Sequence, residues 1–237
     1  MTLAGAALHA AARFGPYFAW DPYDETPGWR PLTDLLDADV VADRVETGRQ
    51  ALLRMSGLTR DDIEERVVAS IVFLGLASRL LSPLLGAVVA GNVLPLPDPE
   101  RLWWRPVDGG PLPIAWRDLP AEDCAGRSPA DIAETLTRTA TRTVVEPVLE
   151  VFRGRFRLSP QVLWGNVASA LGGAVTMIGQ ARAAAVVQAS LNLAPLRGTA
   201  TVSPPRWTLV RNNCCLYYRI PGGGTCGDCV LNRREKR

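Results

Sequence analysis

Between Val67 and Leu94 the chain carries a single charge, Arg79, and a single proline, Pro83. A helix that is apolar on every side has to be buried, in a protein interior or in a bilayer. A bilayer span needs about 20 predominantly apolar residues, and an arginine at its centre is costly. Arg79 interrupts the run after twelve uncharged residues and Pro83 follows, which predicts a buried core helix and no transmembrane segment. A chain of 237 residues, 47% of them apolar, has enough material to bury such a helix. Residues 1–12 are also apolar, yet they lack the basic n-region of a signal peptide. Leu3, Ala6, Ala7, Ala10 and Phe14 share a helical face and predict a first helix. With neither leader nor span, the expected location is cytoplasmic. Thiols stay reduced there, and cysteines point to metal or redox chemistry.

Residues 15–36 are rich in Pro, Gly, Trp and Tyr and predict irregular structure or short strands. A helix is expected from Asp39 to Met55, stopped by Gly57. Thr59 with Asp62 resembles a capping box and is expected to open the long helix through Ile63, Val67, Ile71 and Leu74. Ser82-Pro83 is expected to break or kink it. Leu102-Trp103-Trp104 and Ile114-Ala115-Trp116 flank Asp108-Gly109-Gly110 and predict an irregular β-hairpin. Ser128-Pro129 and Ser159-Pro160 are helix starts, an N-cap followed by proline in the first turn. The first of these helices is expected to reach about Val145, with a kink at Glu146-Pro147, and an Ala-rich helix should cover about Ala181 to Leu193. Residues 196–209, with Gly198 and Pro204-Pro205, read as a linker. The predicted fold is α+β: a mostly helical body over 1–205 with a small β-hairpin element, and a C-terminal cysteine-rich metal-binding module over 206–237.

Several function classes fall away at this point. The only histidine is His9, close to the N-terminus, so a zincin helix or a Rieske centre cannot be built. Of 26 basic residues 25 are arginine, with Lys236 the sole lysine, which removes Schiff-base chemistry. A net charge of +2 is too small for nucleic-acid binding through field strength, and no nucleic-acid partner is expected. That total hides an asymmetry, because residues 206–237 carry +5 and the body −3.

Four of the five cysteines, Cys214, Cys215, Cys226 and Cys229, fall within sixteen residues; Cys124 stands apart. The Cys226-Gly227-Asp228-Cys229 spacing lets two thiolates chelate one metal across a tight turn. Gly222-Gly223-Gly224 permits sharp turns beside it and frees backbone N–H groups to face sulfur. By softness, four thiolates suit Zn2+ or an iron–sulfur cluster equally well. The nearby arginines would offset the negative charge of either. Tyr217 and Tyr218 read as strand aromatics or as cover for the centre. Gly222, Gly224 and Gly227 formally match G-x-G-x-x-G, but too few residues follow for a βαβ unit, so no dinucleotide site is expected.

The tail Asn213-Cys214-Cys215-Leu216-Tyr217-Tyr218-Arg219, with Pro221-Gly222-Gly223-Gly224 and Cys226-Gly227-Asp228-Cys229, resembles the C-terminal signature of FhuF-type ferric-siderophore reductases. Ser78-Arg79-Leu80-Leu81-Ser82-Pro83 and Leu163-Trp164-Gly165-Asn166 are similar to body segments of that family. The resemblance implies a cytoplasmic oxidoreductase with a [2Fe–2S] cluster held by Cys214, Cys215, Cys226 and Cys229. It implies one-electron reduction of iron(III) in an imported ferric siderophore. The alternatives are a Zn2+ knuckle in a binding or assembly protein and a simple electron carrier. The lack of a nucleotide fingerprint implies a separate electron donor, a ferredoxin or a flavin reductase. Arg79 and Trp164 are the candidates for substrate contact, although Arg79 also reads as a structural ion pair or helix-end residue. Trp103, Trp104 and Trp116 could stack on a ligand or simply pack the hairpin.

Overall fold

The computed structural model describes residues 2–203 and 207–233, the latter without the Arg233 side chain. Met1, the Pro204-Pro205 pair, Arg206 and the basic end Arg234, Lys236 and Arg237 lie outside the described residues. The described residues are mostly helical: α1 (Leu3–Ala11), α2 (Ala38–Ser56), α3 (Glu65–Gly91), α4 (Pro129–Leu136), α5 (Glu146–Phe156), α6 (Pro160–Ile178) and α7 (Ala181–Ser190). A π-helical stretch, Thr137–Val145, joins α4 to α5.

Helix α3 is the expected core helix. It is buried along most of its length from Val67 to Val88, packed by α1 and by α6. By length and composition it could cross a bilayer, but 72% of its most apolar window is buried inside the protein. The break expected at Pro83 does not occur, and α3 runs through it. Proline lacks the N–H that would reach the Arg79 carbonyl one turn back. That carbonyl instead accepts a hydrogen bond from Trp20 Nε1 at 2.8 Å, so no acceptor is orphaned. The Thr59–Asp62 capping box is real, but it closes a single 3-10 turn, Arg60–Asp62, and α3 begins after it at Glu65. The kink expected at Glu146-Pro147 is replaced by the π-helical stretch. There Glu146 N–H reaches back five residues to the Thr141 carbonyl, and Pro147 falls in the first turn of α5.

The helix starts follow their sequence signals. Ser128 Oγ accepts from Asp131 N–H at 3.2 Å, and Ser159 Oγ accepts from Val162 N–H at 3.3 Å. Helix α2 ends at Gly57, whose φ of 69° is the left-handed position that glycine takes without strain.

The hairpin pairs as expected, with Leu102 opposite Trp116 and Trp104 opposite Ile114. It is the centre of a four-stranded sheet. Strands β1 (Asp21–Pro22) and β2 (Arg30–Pro31) flank it, while β3 (Val93–Pro95) pairs separately with β6 (Ala121–Asp123); the hairpin strands are β4 (Leu102–Trp104) and β5 (Ile114–Trp116). Trp104 is buried, and Trp103 stacks on Tyr23 with ring centroids 4.0 Å apart. These tryptophans therefore pack the sheet.

The segment expected as a linker contains two paired strands, β7 (Ala200–Ser203) and β8 (Thr208–Arg211), in antiparallel register. Leu209 of β8 presses on α6 at Gly172, where an added Cβ would lie 2.8 Å from Leu209 Cδ1. Leu209 and Ile220 belong to the same apolar core as α3 and α6. The cysteine segment is thus docked on the body, and β7 and β8 pair with each other from either side of residues 204–206.

Candidate metal centre

Strand β8 leads into the cysteine segment and fixes both of its ends. Arg211 N–H donates to the Asp228 carbonyl at 3.0 Å, and Asn212 N–H donates to the Thr199 carbonyl at 2.8 Å. Cys214 and Cys215 follow. Leu216 takes a left-handed φ of 70°, which turns its N–H onto Cys214 Sγ at 3.3 Å. Tyr217–Arg219 form a 3-10 turn and not a strand. Tyr217 is half-buried against the core and Tyr218 is exposed. Arg219 pairs with Glu64 at 3.2 Å, an exposed contact to the start of α3 worth little by itself. Gly222 and Gly224, with φ of 75° and 70°, bend the chain back toward the first cysteine pair. Cys229 N–H donates to the Cys226 carbonyl at 3.1 Å, and Asn232 Nδ2 donates to the same oxygen at 3.1 Å. This is the tight turn that a C-x-x-C chelate requires.

The fold brings all four tail cysteines together as two cross-pairs. Cys215 Sγ lies 3.6 Å from Cys226 Sγ. Cys214 and Cys229 are neighbours, close enough for Cys229 to act on the Cys214 thiol. Cys215 and Cys229 are buried, while Cys214 and Cys226 are half-buried. Cys124 sits at the end of β6, fully buried, with its thiol pushed up by burial. His9 is on the exposed side of α1.

Electrostatics differ across the two pairs. The Cys215 thiol is pulled down to about 5, first by the hydrogen bond from Cys226 and then, against burial, by the Arg211 guanidinium. Cys226 moves up because it holds the proton of that bond. Cys214 is pushed up to about 11 by burial. For Arg211, burial works to lower its proton affinity, but Cys215 and Asp228 outweigh it and the net shift is upward.

Residues 211–231 match the family model described as the FhuF 2Fe-2S C-terminal domain. The match covers all four tail cysteines and begins at Arg211. No curated protein matches the chain. The donor set fits such a group. A tetrahedral metal with sulfur bonds of about 2.3 Å has an S–S edge of about 3.8 Å, close to the Cys215–Cys226 separation. Among the described residues no three His, Cys, Asp or Glu side chains converge as the ligand set of one ion.

The two residues named from sequence as substrate contacts lie in different surroundings. Arg79 is buried, and its guanidinium donates to the carbonyls of Leu112 at 2.7 Å, Pro16 at 2.7 Å and Ala19 at 2.5 Å. It pins the N-terminal segment and the hairpin loop to α3. Trp164 is half-buried against the core. The sequence pattern marks Arg211 only as one of several basic tail residues and Asn166 only as part of a body motif, and Ser70 carries no signal. All three are fully buried and surround the centre. An open cleft of about 480 Å³, lined by Gly173, Thr176, Met177 and Trp207, reaches Gly227 and Asp228 in the C-x-x-C loop.

Proposed function

We propose that this protein is a [2Fe–2S] oxidoreductase that reduces iron(III) held by an imported siderophore and releases iron(II) in the cytoplasm. Cys214, Cys215, Cys226 and Cys229 are its cluster ligands in this reading. The observation that carries it is the pairing of four thiols within the segment that matches an iron–sulfur domain. Bound there, a [2Fe–2S] group supplies one-electron transfer. The chain's own residues do the rest. The two cysteine pairs hold the centre against α3 and α6 and exclude water on the buried side. The C-x-x-C loop faces the open cleft, where a bulky ferric complex can approach. One electron per iron comes from a separate ferredoxin or flavin reductase. Siderophores bind iron(III) through hard anionic oxygens, and the added electron lowers the charge on iron and weakens those contacts. No histidine or lysine is needed as acid or base.

Purified protein should be reddish-brown and hold iron and acid-labile sulfide in near-equal amounts. Cys226→Ser and Cys229→Ser should each bleach the visible spectrum. Dithionite-reduced protein should be reoxidised by ferric siderophores while iron(II) accumulates in a chelator trap. A colourless protein holding zinc after expression with ample iron would sink the proposal. Failure with every siderophore class would reduce it to an electron carrier.

A further inference from the structure

Three arginines are buried among the described residues: Arg49, Arg79 and Arg211. Arg79 directs its guanidinium at the main-chain carbonyls of Pro16, Ala19 and Leu112, and Arg49 donates to the Ile63 carbonyl with Glu46 Oε2 3.5 Å from its Nε. Arg211 aims all three of its nitrogens at side chains. Nη1 donates to Asn166 Oδ1 at 3.0 Å, and Nη2 donates to Cys226 Sγ at 2.6 Å. Nε lies 3.0 Å from Asp228 Oδ2, an ion pair without hydrogen-bond alignment.

Asn166 is fully buried in α6, and its amide orientation is fixed from both ends. Its oxygen accepts from Arg211, and its Nδ2 donates to the Ser70 carbonyl and to Ser70 Oγ, both at 2.9 Å. Ser70 Oγ in turn donates to the Cys215 carbonyl at 2.8 Å. The network therefore runs from Cys226 through Arg211, Asn166 and Ser70 to Cys215, whose sulfur lies 3.6 Å from that of Cys226. It joins α3, α6 and β8 to one of the two thiol pairs. A buried arginine is costly unless its partners are fixed, and Asn166, one of these partners, is held in the body by Ser70.

We propose that Arg211, aimed by Asn166 and Ser70, is the fixed counter-charge that raises the reduction potential of the centre, with Asp228 opposing it. This rests on the iron–sulfur reading above. Reduction adds one negative charge to a thiolate-ligated centre. A guanidinium hydrogen-bonded to a ligand sulfur, in a site of low dielectric, stabilises that added charge. Asp228 dilutes the same field because its carboxylate pairs with the Nε side. Asn166 and Ser70 act through Arg211 and through the Cys215 main chain, as positioning residues.

The test is a spectroelectrochemical titration of the loaded full-length protein and three variants. Arg211→Gln should lower the reduced-to-oxidised ratio at a fixed poise at least tenfold, which is about 59 mV for a one-electron couple. Arg211→Lys keeps the charge and should stay within about threefold of the parent. Asp228→Asn should raise the ratio several-fold, the opposite sign. An Arg211→Gln protein that loads its cluster and stays within threefold of the parent overturns the proposal, and so do shifts of the same sign in Arg211→Gln and Asp228→Asn. Should Arg211→Gln fail to load, Asp228→Asn decides, and an unmoved ratio overturns the role. A colourless, zinc-holding parent overturns both this inference and the reading beneath it. A loaded parent with unmoved variants overturns only the role of Arg211.

Discussion

Replacing Arg79 with methionine keeps most of the aliphatic stem and removes the guanidinium. Three hydrogen bonds to the carbonyls of Pro16, Ala19 and Leu112 are lost. Bonds from a charged donor contribute about 1.5–3 kcal/mol each, so the gross loss is roughly 4–9 kcal/mol. Against this stands the relief of a buried charge. Burial pulls the Arg79 guanidinium from its ordinary 12.5 down to about 10. At 1.36 kcal/mol for each tenfold change, that penalty is about 3 kcal/mol. The expected net destabilisation is therefore about 1–6 kcal/mol, with about 3 kcal/mol as the central value. For a chain of this length it should lower the melting temperature by about 6–12 °C. Thermal unfolding of loaded parent and Arg79→Met, followed by far-ultraviolet circular dichroism, reads it directly. A drop below about 2 °C would refute the view that Arg79 ties the N-terminal segment and the hairpin loop to α3. If a rise in KM for a ferric siderophore accompanied that small drop, Arg79 would be a substrate contact after all.

Trp20→Phe leaves the Arg79 carbonyl without a donor beside Pro83 and should cost about 1–3 kcal/mol in urea unfolding. Gly172→Val places a side chain against Leu209 and should cost about 1–3 kcal/mol, with faster hydrogen exchange at the β7–β8 amides and little change in α1. Cys124, fully buried and pushed up by burial, should resist alkylation in folded protein stripped of metal, while the half-buried Cys214 and Cys226 react. Rapid labelling of Cys124 in the native state would contradict its placement.

Local signals in the sequence translate well into this fold. The two Ser-Pro starts, Gly57 and the tryptophan-flanked turn each determine structure within a few residues, and each is found where the pattern puts it. The misreadings come from partners distant in sequence. Pro83 reads as a break because the Arg79 carbonyl would lose its bond, yet Trp20, fifty-nine residues away from Arg79, replaces it. Residues 196–209 read as a linker because Gly198, Ser203 and Pro204-Pro205 are turn formers and strands of four residues are too short to show a clear alternation. Their pairing is secured by Leu209 filling the space that Gly172 leaves on α6.

The candidate centre divides along the same line. Cysteine spacing is local, so the four clustered thiols are visible in the sequence, and their cross-pairing follows once Gly222 and Gly224 turn the loop. The charge that faces them is not local. A tail of +5 suggests a diffuse field shared by several arginines. In the described fold, Arg219 reaches out to Glu64 at the surface, where water screens it. Arg211 alone is sealed at 0% exposure with a nitrogen 2.6 Å from a cysteine sulfur. Its aim is set by Asn166, forty-five residues upstream, and by Ser70, a further ninety-six residues away. One buried, oriented charge at that distance outweighs several solvated ones. The charge at this site is therefore supplied by the C-terminal segment and aimed by two residues of the helical body, Asn166 and Ser70.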